Sequence, residues 1–356
     1  METAVAGHVE QRASYRGVAI SAALVLLGGL VVLSARGAVG QLLPRSSVLT
    51  PAVLLTLLPF VAWSFGLRVL RWHVLLRRLV AGLPLTVSLH TQLVGFALAA
   101  TPGRIAELYK LRVLERAVGV QVARGLPAIL VERLTDVAAF GSLVLVGGGL
   151  SWTGSGGGER AGHVAILGLG LVALLAAYQV GSRHWPRWQH GGAADAAQVW
   201  ARRLAPLLPG ATHLKALLSQ LRAGAARVAS PSALSLALGC VILGRLSDAL
   251  VIWLVARAAG YPVPIPAALL LIGAAGLAGG LSLSPGGLGA AEATLTALIL
   301  ARGIPLDAAL TIAFVARALI FWLWVTLGLL VFAAEEGLRA MGRSRWQAGA
   351  PPLPKG

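Results

Sequence analysis

Long apolar runs recur along the chain and are separated by short segments that carry most of its charges. About 20 consecutive apolar residues span a bilayer as a helix. By this measure we predict six full membrane spans, at about 17–35, 49–67, 125–150, 162–182, 232–256 and 308–333. Two further apolar segments, at about 86–118 and 266–303, are interrupted in the middle by Pro-Gly. The pattern predicts an all-α polytopic membrane protein whose topology depends on whether these two segments cross or turn back.

The positions of the basic residues favour turning back. Cytoplasmic loops of membrane proteins carry an excess of Lys and Arg, and we place Arg68, Arg71, Arg77 and Arg78 in such an inward-facing segment at 68–85. A full crossing of the first interrupted segment would place five basic residues on the outer side of the membrane, namely Arg104, Lys110, Arg112, Arg116 and Arg124. We therefore predict two re-entrant hairpins, with tips at Pro102-Gly103 and at Pro285-Gly286-Gly287, and both chain termini in the cytoplasm.

The two interrupted segments and the spans after them resemble each other. Pro102 and Pro285 are 183 positions apart, Gly119 and Gly303 are 184 apart, and Arg133 and Arg317 are 184 apart. Three predicted spans lie between the two Pro-Gly tips, so the second hairpin enters from the opposite face. We therefore expect Arg104 and Glu107 to approach Glu292 and Arg317 near the bilayer centre. Paired broken segments of this kind point to the substrate site of a transporter. Pro and Gly are also common as kinks in membrane helices, which is the simpler interpretation.

This repeat predicts one transmembrane domain over 17–333, with halves at about 49–150 and 232–333. Between the halves, the loop 183–231 places Leu214, Leu217, Leu218 and Leu221 at helical spacing beside basic residues. That spacing predicts an amphipathic helix on the inner leaflet. Residues 1–16 form the predicted cytoplasmic N-terminus, and 334–356 the predicted cytoplasmic tail.

Composition narrows the function classes. Charged residues make up 12% of the chain, whereas about 25% is usual in soluble domains. The net charge of +17 fits cytoplasmic loops facing anionic lipid heads better than a nucleic-acid partner, which we do not expect. Cys240 is the single cysteine, and no metal-binding or phosphate-loop motif occurs, so we predict no disulfide, metal or cofactor.

Charged residues at membrane depth are costly and mark functional sites or ion pairs. The predicted substrate-binding residues are Arg104, Glu107, Glu132, Arg133, Asp136, Glu292 and Arg317, with Arg245 and Asp248 as secondary candidates. Helix N-termini after the Pro-Gly tips suit a phosphate, and arginines add charge-assisted contacts to it. Arg245 and Asp248 are three residues apart, and an ion pair that only holds helices together remains the alternative for them. We expect Lys110, Arg112 and Arg116 to snorkel at the cytoplasmic edge.

Three motifs and a short triplet resemble the lysylphosphatidylglycerol synthase transmembrane family, also called flippase-like domain proteins. They are PGRIAEL at 102–108, VERLTD at 131–136, SPGGLGAAEA at 284–293 and VAR at 315–317. The resemblance covers about 17–333 and implies a lipid-flipping membrane module, as in the multiple peptide resistance factor. Only 334–356 follow the last predicted span, so we expect no synthase domain. Other members are linked to polyprenyl-phosphate carriers, which widens the choice of substrate.

The leading hypothesis is a flippase or scramblase-like transporter in the bacterial cytoplasmic membrane. Its substrate would be an anionic or aminoacylated phospholipid or a polyprenyl-phosphate lipid. One alternative is a membrane-embedded transferase or phosphatase in which Glu107, Glu132 and Asp136 supply acid–base chemistry. The other is a non-catalytic partner of an envelope-lipid enzyme. Membrane lipids are the expected partners, and a homo-oligomer or an envelope-biosynthesis partner is a further expectation.

Overall fold

The computed structural model describes residues 50–99, 105–152, 220–221, 223–225, 227–282 and 284–340, and this part of the chain is all-helical. For 105–108, 152 and 336–340 the backbone alone is described. The predicted spans at about 17–35 and 162–182, the tip Pro102-Gly103, and most of the loop 183–231 lie outside the described residues. The all-α prediction is confirmed for the part of the chain that the structure describes.

The principal helices follow one another with short connections. In chain order they are α1 (Pro51–Arg77), α2 (Leu85–Ala97), α3 (Ile105–Val118), α4 (Val122–Trp152), α5 (Pro231–Ala258), α6 (Ile265–Leu281), α7 (Ala290–Leu300), α8 (Leu306–Arg317) and α9 (Leu323–Ala340). A π-helical turn, Ala318–Trp322, joins α8 to α9. Three stretches are long and apolar enough to cross a membrane, namely Pro51–Arg77, Pro231–Ala258 and Leu306–Glu335. The protein is therefore a membrane protein, and its six-span layout with re-entrant hairpins stays a prediction.

Proline and glycine set the helix boundaries in the same way in both halves. Pro84 and Pro264 are the N-cap residues of α2 and α6, where a fixed φ and a missing N–H cost nothing. Gly119 ends the second arm of the first hairpin and Gly303 that of the second, with φ of 72° and 78°. Glycine adopts this left-handed conformation without the steric cost that a Cβ imposes. Equivalent residues thus perform equivalent turns, which supports the repeat.

In both interrupted segments the described residues form two helices that pack against each other. The arms α2 and α3 contact each other, and so do α6 and α7. In the second hairpin, α6 ends at Leu281, a 3₁₀ turn follows at Pro285–Gly287, and α7 begins at Ala290. The predicted interruption of 266–303 at Pro-Gly is confirmed.

Each half holds the hairpin of the other half. Helix α4 packs along α6, and α9 packs along α2. Both crossings are close at a glycine: a Cβ on Gly147 would meet the backbone of Pro266 and Leu270, and a Cβ on Gly328 would lie 2.8 Å from Ala97 N. At the centre α1 lies along α5, and Ser247 Oγ donates a 2.8 Å hydrogen bond to Phe60 O. This reciprocal packing is what an internal repeat produces.

Candidate functional site

Arg71 of α1 lies at the centre of a buried polar cluster. It is 2% exposed, and its Nη1 donates to Asp136 Oδ1 of α4 at 2.9 Å. Its Nη2 donates to Glu132 Oε1 at 3.2 Å. Asp136 and Glu132 are four residues apart, so both carboxylates lie on one face of α4 and reach the same guanidinium.

Lys110 of α3 closes this cluster on the side of the first hairpin. Its Nζ lies 3.0 Å from Glu132 Oε2 and 3.6 Å from the ring centroid of Trp72. Trp72 is fully buried and donates its Nε1 hydrogen to Thr91 Oγ1 of α2 at 2.9 Å. The ammonium is thus held by a carboxylate and an aromatic face at once, and it ties the hairpin to α1 and α4.

Arg245 of α5 connects the cluster to the second half. Its Nη2 donates to Asp136 Oδ1 at 3.0 Å, and its Nη1 to Asp248 Oδ2 at 3.1 Å. Arg68 of α1 donates to the same Asp248 oxygen at 2.8 Å. The secondary candidates therefore do pair along their own helix as expected, but each also bonds to a second helix.

We call these residues the charge cluster: Arg68, Arg71, Lys110, Glu132, Asp136, Arg245 and Asp248. Among the described side chains of this cluster, four cations face three carboxylates, which is a surplus of one positive charge. A buried charge without a partner costs several kcal/mol. The surplus can be balanced by an anion that enters from outside the cluster.

A second ion pair holds the tip of the second hairpin. Arg317 Nε donates to Glu292 Oε1 at 2.8 Å, and its Nη2 donates to Gly286 O at 2.9 Å. Glu292 Oε2 accepts from Gly289 N at 2.9 Å, which caps the N-terminus of α7. Gly286 has a φ of 61°. We call Arg317, Glu292 and the Gly286 carbonyl the tip latch, because together they fix the tip against α8.

The π-helical turn after Arg317 places an aromatic ring beside the same tip. Phe321 lies under the guanidinium of Arg317, with 4.5 Å from Cζ to the ring centroid. A Cβ on Gly286 would lie 3.0 Å from the Phe321 ring and 3.7 Å from Ala99 O. Ala99 follows α2, three residues before Pro102. The second tip therefore lies against the end of the first arm of the first hairpin.

A cavity of about 60 Å³ lies between the charge cluster and the tip latch. Arg68, Arg245 and Arg317 line it, together with Phe140, Phe321 and aliphatic side chains of α5, α6, α7 and α8. Arg245 lies over Phe140, with 4.4 Å between Cζ and the ring centroid. The space has room for roughly four water molecules, and its charged lining is made of guanidinium groups alone among the described residues.

Of the nine predicted site residues, seven lie in or beside these two groups, and the side chains of the other two are not described. Glu132 and Asp136 belong to the charge cluster, as do Arg245 and Asp248, and Glu292 and Arg317 form the latch. Pro102, Gly103 and Arg104 lie outside the described residues, and Glu107 lies in α3 with only its backbone described. The expected approach of Arg104 and Glu107 to Glu292 and Arg317 stays a prediction.

Arg133 occupies a different environment from its counterpart in the repeat. Its side chain is 43% exposed and its Nη1 lies 3.7 Å from Asp136 Oδ2, at the edge of the charge cluster. Arg317, 184 positions later, is 15% exposed and lines the cavity. The two arginines therefore differ in exposure, and of the two only Arg317 is among the residues that line the cavity.

Three expectations about basic residues were wrong. The span predicted at 49–67 continues as helix to Arg77, so Arg68 and Arg71 are not loop residues. Lys110 is 5% exposed and does not snorkel, whereas Arg112 and Arg116 are exposed as expected. The signal for the longer helix was present, because apolar residues continue at helical spacing through Val69, Trp72 and Leu76.

Comparison with known families gives one match. The family model described as "Lysylphosphatidylglycerol synthase TM region" matches residues 17–328. A search of curated proteins finds no match. The matched range includes the charge cluster and the tip latch, together with both interrupted segments.

Proposed function

The chain belongs to the lysylphosphatidylglycerol synthase transmembrane family, and we propose that it moves a phosphate-bearing lipid between the leaflets of its membrane, as a flippase or scramblase. The observation that carries the proposal is the cavity lined by Arg68, Arg245 and Arg317 beside the tip of a broken hairpin. Family membership supports a lipid-related role, and the cavity supplies a place for the headgroup.

The proposal explains why charges are buried at this depth. A lipid changes leaflet only if its polar headgroup passes the hydrocarbon core, where a bare charge is strongly disfavoured. Guanidinium groups already buried and oriented by Asp136, Asp248 and Glu292 replace water around a phosphate. The apolar tails stay in the bilayer, so the protein has to shelter only the headgroup.

A lipid headgroup also needs a place where the packed helices are interrupted, and the Pro-Gly tips of the hairpins supply such an interruption. Backbone polar groups freed at Pro-Gly are tolerated at membrane depth where they face protein or a wet cavity. At the second tip the freed Gly286 carbonyl accepts from Arg317, a residue that also lines the cavity. Movement of this tip would therefore alter the cavity directly.

The orientation belongs to the same proposal. We place the protein in a bacterial cytoplasmic membrane, with both termini in the cytoplasm and the two hairpins entering from opposite faces. The surplus of Lys and Arg in the predicted inner segments supports this orientation. Partners beyond membrane lipids, whether a second copy or an envelope-lipid enzyme, remain part of the hypothesis.

An enzyme acting on a lipid phosphate receives less support. The acid–base candidates Glu132 and Asp136 each accept hydrogen bonds from two cations. A general base needs a free lone pair within reach of a substrate proton, and these carboxylates are used to hold arginines and a lysine. The described part of the cavity offers a binding site rather than a nucleophile.

Reconstitution tests the proposal. Purified protein in proteoliposomes with a fluorescent phospholipid should expose inner-leaflet label to an impermeant quencher, and empty liposomes should not. Arg317→Gln should slow this exposure, because it removes a cavity cation, whereas Arg112→Gln on the exposed pair with Glu115 should not. Wild-type protein that exposes no label from phosphatidylglycerol, phosphatidate or a polyprenyl phosphate would contradict transport and favour the partner hypothesis.

A further inference from the structure

We infer that the cavity takes a headgroup that ends in phosphate and carries no ammonium group, so that lipid phosphomonoesters or diphosphates are preferred over aminoacylated phospholipids. This inference rests on the proposed function and names the substrate class of the same site. Family membership does not distinguish lipid phosphates from aminoacylated phospholipids as substrates, and this inference does.

The first argument is the sign of the charge that lines the cavity. Arg68, Arg245 and Arg317 reach it from α1, α5 and α8. The carboxylates that bond to them, Asp136, Asp248 and Glu292, are absent from the described lining. An ammonium group entering this space would meet three guanidinium groups and no carboxylate among the described residues. A phosphate would meet three attractive partners.

The second argument is the supply of hydrogen-bond donors. Each guanidinium carries five N–H donors, and the three arginines make five hydrogen bonds within the described part of the chain. Most of their donors are therefore available. One of them, Nε of Arg245, is buried and has no partner among the described residues. Phosphate oxygens accept several such bonds at once, often in bidentate pairs.

The third argument is the orientation of the guanidinium planes. Phe140 covers one face of Arg245 and Phe321 covers one face of Arg317. Stacking leaves the edges of a guanidinium, where its N–H groups lie, open to an acceptor. The rings also exclude water, and charge-assisted bonds to a phosphate are stronger in such surroundings.

The fourth argument is the count of charges. Four cations of the charge cluster face three carboxylates, and the tip latch is neutral within itself. A phosphomonoester carries a charge of about −1.5 to −2 near pH 7, whereas a phosphodiester carries about −1. Either headgroup offsets a surplus of one positive charge, and the monoester should bind more tightly because it brings a third terminal oxygen to the available N–H donors. A lysyl group on phosphatidylglycerol reverses the sign of the headgroup and should bind most weakly.

Binding of lipids with matched dioleoyl chains to the full-length protein in detergent tests this order. The probes are phosphatidate, phosphatidylglycerol and lysylphosphatidylglycerol, each competing with a fluorescent phosphatidate. We expect phosphatidate to bind at least tenfold more tightly than phosphatidylglycerol, and lysylphosphatidylglycerol to bind more weakly than either. Equal or tighter binding of the lysyl lipid would overturn the inference. Equal binding of phosphatidate and phosphatidylglycerol would overturn the preference for a monoester.

Two further arms separate the source of the phosphate and the role of the arginines. Inorganic phosphate should compete at least a hundredfold more weakly than phosphatidate, and equal competition would overturn the assignment to a lipid. Arg68→Gln should weaken phosphatidate binding about tenfold, because it removes one of the three cations that line the cavity. The fold should be retained, since Asp248 keeps Arg245 as a partner. Arg112→Gln is the control with unchanged affinity, and an unchanged affinity in Arg68→Gln would remove Arg68 from the site.

Failure of this inference differs from failure of the proposed function. Binding in detergent requires no transport, so a preference for the lysyl lipid would overturn the headgroup assignment and leave lipid transfer untouched. A protein that binds phosphatidate in the expected order but exposes no labelled lipid in proteoliposomes would lose the transport proposal and keep the headgroup assignment.

Discussion

In the two halves of the predicted repeat, the ion pair beside the hairpin has its charges in opposite places. Among the described side chains, an ion pair in each half ties the helix after the hairpin to the second arm of that hairpin. In the first half α4 supplies the carboxylate, Glu132, and α3 the cation, Lys110. In the second half α8 supplies the cation, Arg317, and α7 the carboxylate, Glu292.

The surroundings of the two pairs differ more than the pairs themselves. Glu132 and Lys110 are 5% and 6% exposed in their side chains and belong to a cluster that joins α1, α3, α4 and α5. Arg317 is 15% exposed, and its partners are one carboxylate and the Gly286 carbonyl. A cluster with many shared partners resists single changes of conformation, whereas a latch with two bonds can open. The difference predicts that the charge cluster holds its four helices in one arrangement, whereas the tip of the second hairpin can move.

Of the changes considered, Arg71→Ala should lower the stability of the protein most. It leaves Glu132 and Asp136 with fewer cations in a buried site, and breaking a buried pair costs about 3–5 kcal/mol. We expect a marked fall in the melting temperature of the detergent-purified protein and a poor yield of folded material. Arg112→Ala, which removes an exposed cation, should change stability by less than about 1 kcal/mol. Normal melting of Arg71→Ala would show that the charge cluster is not a scaffold.

Arg317→Ala should cost less stability and more function. The Arg317 side chain is 15% exposed, so water that enters the cavity can solvate Glu292 after the change, and the loss of stability should stay below that of Arg71→Ala. We expect folded protein at near-normal yield and lipid transfer reduced at least tenfold in proteoliposomes. Glu292→Gln alone and combined with Arg317→Ala completes a double-mutant cycle. Equal loss of folded protein and of transport in Arg317→Ala would make the latch a structural pair like Arg71 and Asp136.

The contrast between the halves was only partly readable from the sequence. The apolar runs and the interruption at Pro285 were predictable, because helix length and backbone breaks leave a strong pattern in composition. Glu132, Asp136, Glu292 and Arg317 were found because charge inside an apolar run is rare. Arg68 and Arg71 could not be placed from the sequence, because an arginine after an apolar run is typical of the end of a span, whereas here the helix continues to Arg77. Lys110 was misplaced because burial beside Trp72 depends on contacts between helices that spacing along one helix does not show.

Substitutions at Gly147 and Gly328 test whether the two hairpins are packed equally tightly against the helices that cross them. Gly147→Ala would place a methyl group against the backbone of Pro266 and Leu270, and Gly328→Ala one against Leu93 and Ala97. Overpacking of this kind costs about 1–3 kcal/mol, so both variants should melt earlier than wild type. Gly141→Ala is the control, since a Cβ there meets nothing within 4 Å and alanine favours the helix by about 0.5–1 kcal/mol. A stable Gly328→Ala beside an unstable Gly147→Ala would show that the grip on the first hairpin is looser.

Cysteine substitutions at two exposed arginines, which should perturb the protein least, test whether the two halves have opposite orientations in the membrane. Arg116, near the end of α3, and Arg302, in the turn after α7, are exposed and close to the equivalent glycines Gly119 and Gly303. In a background with Cys240→Ala, we expect Arg116→Cys to react with an impermeant thiol reagent only from the cytoplasmic side. Arg302→Cys should react only from the opposite side. Since both changes replace exposed side chains, they should leave stability within about 0.5 kcal/mol of wild type. Labelling of both positions from one side would mean that the halves are parallel, and the two tips could then not approach the cavity from opposite faces.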